Sequence, residues 1–343
     1  MASPRVESHC FDGKHFPLVI TPQIGSEAFS LGQWLTKSAD QKQWLKEKLL
    51  EHGALLFRGF DVHSATAMHA FCDAIDAHLM DYPRGTSPRT EVSQQVYTST
   101  EVAHNLPLPI HTEMSYTSVF PRALAFCCVI PPQHGGETPL ADMKKVLARL
   151  PPSVVSAFET KGILYHQYCP SGHNNTRFKT WQDMFATEDK NIAEQKCKEQ
   201  GVTIKWLKDG SAKLTNSGTA IRVHPKTGER IWFNQAHVFH PTMAAEFRYI
   251  GRPWMAKLVR VYEWLLENFP KRMPPYPYGC TFGDGSLIPR EMILAVRQAI
   301  WDETVTFRWE KGDLLLIDNL RIGHGRLPFK GDRKILAALI KNL

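Results

Sequence analysis

His111-Thr112-Glu113 sets an imidazole and a carboxylate two positions apart, directly behind Leu108-Pro109-Ile110. On an extended strand, residues at that spacing project to one face, so both side chains can address one metal ion. A second histidine, His324, stands between Gly323 and Gly325, downstream of the apolar run Leu314-Leu315-Leu316-Ile317 and the pair Asp318-Asn319. Glycine neighbours permit close backbone approach and leave the imidazole unobstructed, which suits a histidine facing a small cavity. Two imidazoles and one carboxylate form a facial donor set that leaves positions open on iron(II) for other ligands. Each piece also has a plainer reading, because a His-x-Glu pair arises by chance and most of the 15 histidines should be satisfied surface or core groups.

Arg333, nine positions past His324, opens the last apolar segment. Its guanidinium fork can hold a carboxylate through two parallel hydrogen bonds. Thr138, in Gly135-Gly136-Glu137-Thr138, offers a hydroxyl on a segment that a rolled sheet can bring beside Arg333. Together they suit the distal carboxylate of a dicarboxylic acid such as 2-oxoglutarate; the plainer alternative is an arginine at a strand start and a glycine turn. Tyr116 and Arg326 lie close in sequence to the candidate ligands, and Arg84, Arg89, Asn234 and Arg252 fall in segments that can line a mouth. For most of this group a structural or surface role is the simpler expectation.

The elements that must position these groups read as strands with helices outside them. Asp40 to His52 carries apolar residues at helical spacing, with Asp40 as the expected N-cap and Gly53 as the stop, followed by a buried strand from Ala54. Ser64 caps a second helix to about Ile75. Ala123 to Ile130 and Thr138 to Ala141 read as strands, and Asp142 opens a helix ending near Pro151. Pro225-Lys226-Thr227-Gly228 joins two short strands, and Thr304 to Phe307, Asp313 to Ile317 and Lys334 to Ile340 finish the chain as strands. Segments 169–179 and 270–283 lack periodicity and are candidate lids. The pattern predicts a mainly β protein with peripheral helices, a jelly roll formed by residues 1–343 as one domain.

Composition narrows the function classes. With 343 residues, 43% hydrophobic and 22% charged, the chain can bury a large core and has no disordered bias. The net charge of +7 comes from dispersed Lys and Arg, so a nucleic-acid partner is not expected and an anionic small molecule is. Seven cysteines without a CxxC pair indicate neither a disulfide framework nor a zinc ribbon and fit a reducing compartment. Without a signal-like or membrane-spanning apolar run, the cytoplasm is the expected location and no membrane partner is expected.

In their order along the chain these residues resemble the taurine dioxygenase and clavaminate synthase family of iron(II), 2-oxoglutarate-dependent oxygenases. The likeness runs through Arg58-Gly59-Phe60, His111-Thr112-Glu113, Gly135-Gly136-Glu137-Thr138 and His224-Pro225-Lys226-Thr227-Gly228. It continues through Gly312-Asp313, Asp318-Asn319, His324-Gly325-Arg326-Leu327-Pro328-Phe329 and Arg333. The resemblance implies a double-stranded β-helix core, His111, Glu113 and His324 as iron ligands, and Thr138 and Arg333 as contacts to 2-oxoglutarate. Glu113, where many members carry aspartate, is similar to the clavaminate-synthase-like branch and unlike the halogenating relatives, which have a small residue there. Oxidative decarboxylation of 2-oxoglutarate by O2 would then be coupled to C–H oxidation, most simply hydroxylation, of a small carboxylated or amino-acid-like substrate. Two other classes share the ligands: a non-catalytic binding protein on the same jelly roll, and a cupin-like metalloenzyme with no oxo-acid co-substrate.

Overall fold

A computed structural model describes residues 6–11, 13–23, 30–82, 89–172, 179–269 and 277–343. The most apolar strands of the sequence lie side by side at its centre. Leu314–Asp318 pairs antiparallel with Ala54–Phe57 on one side and Ala123–Ile130 on the other, and Lys334–Asn342 pairs with the far edge of Ala123–Ile130. These strands are apolar throughout because both faces are covered. Leu314 and Leu316 face one core with Ala123, Ala125, Leu336 and Ala338. Leu315 and Ile317 face another with Leu124, Phe126, Ile335 and Ala337.

The first face is covered by helices Leu31–Thr36, Ala39–His52 and Ala65–Ala74, which contribute Leu35, Leu45, Leu49, Met68 and Phe71. Helix Ala39–His52 is capped by Ser38, whose side chain accepts from the Asp40 N–H, rather than by Asp40, and it ends at Gly53 with φ of 75°. The second face is covered by a smaller sheet in the order Thr304–Val305, Leu140–Asp142, Ile322–Arg326, Leu108–His111. Two sheets enclosing one apolar layer, with helices outside, form the expected jelly roll. Strand Ile322–Arg326 is central to the small sheet, paired with Leu140–Asp142 and with Leu108–His111.

A third sheet, Thr203–Trp206, Ala212–Gly218, Ile163–Cys169, Tyr278–Phe282, lies beside the roll. It corrects both lid expectations in part. Cys169 ends a strand instead of starting a loop, and Tyr278–Phe282 pairs with Ile163–Gln167. Residues 173–178 and 270–276 of those segments lie outside the described residues.

Candidate metal centre

The metal-binding candidates are brought together by strand register. His111 is the last residue of Leu108–His111 and sits directly opposite His324 of Ile322–Arg326. Opposed residues on antiparallel strands share a face, and here the imidazole centroids are 4.7 Å apart. Gly325, beside His324, makes the pairing possible. A Cβ on Gly325 would lie 2.6 Å from the Leu108 carbonyl oxygen and 3.1 Å from the Ile110 nitrogen.

Glu113 reaches the same point by a different route from the one its spacing suggests. The strand ends at His111, and Thr112 to Tyr116 form a turn in which Met114 has φ of 55°. Strand alternation therefore does not aim Glu113. Its backbone is instead clamped by buried Asn319, whose Oδ1 accepts from the Glu113 N–H at 2.7 Å. Asn319 Nδ2 donates to the carbonyls of Glu113 at 3.0 Å and Pro121 at 2.8 Å. Asn319 follows the apolar strand Leu314–Asp318, so one turn orients Glu113 and leads into the strand bearing His324. His224 holds that turn by donating from Nε2 to Asp318 at 2.9 Å.

The three donors lie within 4.8 Å of one another and all are buried. His111 Nδ1 donates to the Pro109 carbonyl at 2.8 Å, which fixes the tautomer and leaves Nε2 as a lone-pair donor. His324 is held by packing, between the His111 ring and Phe126 at 5.1 Å. Burial lowers the pKa of both imidazoles; Glu113 partly opposes this at His111, while the charges of His111 and Arg89 push His324 further, well below the ordinary histidine value. Neutral imidazoles beside a carboxylate are the form that binds a divalent cation. The donor set thus fits iron(II).

A cavity beside the donors is lined by His324, Phe126, Thr138, Arg333, Ser99 and Arg89, among others. Arg333 donates from Nε to the Gly136 carbonyl at 3.1 Å and from Nη1 to Ser99 Oγ at 3.3 Å. Gly136 can present that carbonyl because it and Gly135 have φ of 73° and 69°, and a Cβ on Gly135 would lie 2.2 Å from the Pro328 oxygen. Burial, with the nearby charge of Arg326, pushes the Arg333 guanidinium down to about 10, the mark of a cation lacking a full counter-charge. Thr138 accepts from Trp309 Nε1 at 3.1 Å, which leaves its own O–H for another acceptor.

The other sequence candidates divide. Arg326 lines the cavity, but its guanidinium donates to the carbonyls of Val102, Ala103 and Leu106, closing the loop ahead of Leu108–His111. Asn234 is a backbone brace and not a substrate contact: Nδ2 donates to the Ala220 carbonyl and Oδ1 accepts from Ala236 N–H, both at 3.0 Å. Tyr116 is likewise a core residue, packed at ring distances of 5.2 Å from Phe239 and 6.1 Å from Tyr165. Arg252 donates to the Asn105 carbonyl at 3.0 Å, and Arg84 lies outside the described residues. Arg89 is the opposite case, a surface expectation overturned by a side chain only 4% exposed whose Nη2 lies 2.6 Å from Glu113 Oε2. Ser99 carries no role in the sequence reading, and Asn319 appears there only within the Asp318-Asn319 pair, with no function assigned to its side chain.

Such a fold, with two histidines and a glutamate meeting beside a cavity that also carries Arg333 and Thr138, defines an iron, 2-oxoglutarate-dependent oxygenase. The chain belongs to the taurine catabolism dioxygenase TauD, TfdA family, whose model matches residues 18–339. It is similar to a clavaminate synthase-like protein of Arabidopsis thaliana, 32% identical over 99% of this chain and 98% of the relative. It is also similar to the dapdiamide synthesis protein DdaC of Enterobacter agglomerans, 31% identical over 86% of this chain and 84% of DdaC. Among solved structures, PvcB of Pseudomonas aeruginosa shares the fold with a TM-score of 0.54 at 17% identity, over 98% of this chain and 91% of PvcB. PvcB is described as an Fe, alpha-ketoglutarate dependent oxygenase from an isonitrile synthetic pathway. The protein is accordingly a dioxygenase that uses iron and 2-oxoglutarate. Among the described residues no helix is long and apolar enough to cross a membrane.

Proposed function

We propose that residues 1–343 act as one oxygenase domain in which His111, Glu113 and His324 hold iron(II), Arg333 and Thr138 anchor 2-oxoglutarate, and a small carboxylated or amino-acid-like metabolite is hydroxylated. The observation that carries this reading is the convergence of the three donors within 4.8 Å beside a cavity that also contains Arg333 and Thr138. Iron(II) with 2-oxoglutarate and O2 supplies the oxidising power for attack on an unactivated C–H bond, with succinate and carbon dioxide as co-products.

The residues of the chain provide position and a buried setting. Arg333 offers N–H donors beyond those spent on Gly136 and Ser99, and the Thr138 hydroxyl supplies a further donor for the same carboxylate. Phe126 packs on His324, and Leu108 and Ile335 join it in the cavity wall beside the polar groups. A dicarboxylic acid fixed at its far end by Arg333 must present its oxo-acid end to His324 and its neighbours. Burial of these groups strengthens each charge interaction inside the site.

Anaerobic addition of iron(II) and 2-oxoglutarate tests the assignment. A visible charge-transfer band should form in the wild type and be lost in His111→Ala, and succinate release on admitting oxygen should rise with the true substrate. A band of full strength in His111→Ala would overturn the ligand set. Full activity of Arg333→Ala would overturn the anchor.

A further inference from the structure

We propose that Arg89 is the receptor for a carboxylate of the primary substrate, and that it becomes available for that role when a metal ion takes over Glu113. The inference deepens the functional reading above and rests on His111, Glu113 and His324 holding the metal. It begins from an unusual distribution of hydrogen bonds around one buried guanidinium.

Arg89 Nη2 donates to Glu113 Oε2 at 2.6 Å, and its guanidinium carbon stacks 4.3 Å above the Tyr82 ring. A guanidinium keeps its proton at any ordinary pH, so Arg89 is a cation. Yet Nε and Nη1 are buried and have no hydrogen-bond partner among the described residues. A structural buried arginine in the same protein looks different. Arg297, fully buried, spends Nε on Thr242, Nη1 on Glu246 and Nη2 on the His237 carbonyl. Leaving buried N–H groups unmatched is costly, so two idle donors of one guanidinium at a cavity wall mark a place for an acceptor more than they mark a brace.

Charge leads to the same place. Among the described residues the cavity wall carries Arg89, Arg326 and Arg333 and no acidic residue, and Glu113 is the carboxylate paired with Arg89. A divalent ion held by Glu113 must share the one charge that now neutralises Arg89. The two carboxylates of 2-oxoglutarate are matched by Arg333 and by the metal. Arg326 spends Nη1 and Nη2 on three carbonyls and leaves Nε alone without a partner among the described residues, whereas Arg89, once Glu113 is shared with a metal, has neither a partner for Nε and Nη1 nor a full counter-charge. A neutral substrate would leave that cation uncompensated, and a carboxylate would pair with it in the planar geometry a guanidinium favours. Stacking on Tyr82 keeps the fork in place during the exchange.

The test is by binding rather than turnover. Anaerobic protein loaded with iron(II) and 2-oxoglutarate is titrated with small carboxylic acids of three to six carbons and with the matching amides, while the charge-transfer band is followed. In the wild type some carboxylates should shift the band and their amides should not. Arg89→Met should weaken that response roughly tenfold or more, the loss of about one good charged contact, and Arg89→Lys should restore part of it. Metal affinity of the Arg89→Met protein should be unchanged or tighter, because a competitor for Glu113 has gone. Weaker metal binding would make Arg89 a support for Glu113 and overturn the proposal. An equal loss of 2-oxoglutarate affinity would assign Arg89 to the co-substrate and overturn it too. So would amides acting like carboxylates, or a wild-type band indifferent to every acid. No band at all in the wild type would overturn the metal site itself, which separates the two failures.

Discussion

Replacing Asn319 with alanine removes the clamp on Glu113 without touching a metal donor. Three hydrogen bonds disappear, at 2.7, 3.0 and 2.8 Å, and all their partners are buried with the side chain. At about 1 kcal/mol net for each, the variant should lose about 3 kcal/mol of stability. Against a usual total of about 5–15 kcal/mol this leaves most of the molecules folded. The larger effect falls on the metal, because Glu113 sits in a turn with no strand to hold its direction. Loss of a group that orients a ligand typically costs about 10–100-fold in metal affinity. Titration of the metal-free protein with manganese(II) or iron(II), alongside urea unfolding, measures both quantities. Asn319→Asp sharpens the test, since it keeps the acceptor for the Glu113 N–H but turns an oxygen toward the carbonyls of Glu113 and Pro121. It should bind metal no better than the alanine variant. Unchanged metal affinity in either variant, with the loss of stability present, would refute the idea that Asn319 aims Glu113.

Other perturbations read the remaining parts of the site. Arg333→Met should bind metal normally but weaken 2-oxoglutarate at least about thirtyfold, the equivalent of about 2 kcal/mol for a lost charged hydrogen-bond pair, as followed by the anaerobic band. Gly325→Ala should lose about 1–3 kcal/mol and much of its metal affinity, because the new Cβ meets the Leu108 oxygen at 2.6 Å and must part the strands that pair His111 with His324. Unfolding with urea at several pH values tests His240, which burial, chiefly, pushes down to about 4. Its folded value lies below its unfolded one, so its contribution is complete above about 6.5 and is lost as pH falls toward 4. His240→Gln should therefore show a shallower acid limb than the wild type, with part of the limb remaining through His237, which burial pushes down to about 3.

Much of the β core was legible because its strands are buried on two faces, so Leu314 to Ile317 and Ala123 to Cys128 read as unbroken apolar runs. Gly325 was legible for the same kind of reason, since the backbone of Leu108 and Ile110 approaches it too closely for a side chain, whereas Gly323 makes room for the Met143 side chain. Strand Ile163–Cys169 was not, although its residues alternate between buried and half-buried, because polar His166 and Gln167 dilute the run. Arg89 was unreadable for a different reason. Nothing local separates a surface arginine from one whose partner lies 24 residues away in a turn, and only the folded chain brings it to Glu113. Tyr116, near the ligands in sequence, and Asn234, in a segment that can line a mouth, differ in the opposite sense, because their side chains serve the protein's own core and backbone.

The two-residue spacing of His111 and Glu113 suggested a strand, and the structure keeps the convergence while replacing its cause. His111 is aimed by pleat and register, whereas Glu113 is aimed by a turn and by a side chain that arrives from residue 319. The halves of the donor set are therefore joined twice, once through the pairing of His111 with His324 and once through Asn319, which belongs to the turn leading to His324. A strand alone would fix Glu113 as rigidly as His111. Placing it in a turn lets its carboxylate meet either Arg89 or a cation without disturbing the sheet, while the two imidazoles stay where the strands put them. The carboxylate is thus the adjustable member of the set, and the arginine that now holds it is the group whose partner must change when metal arrives.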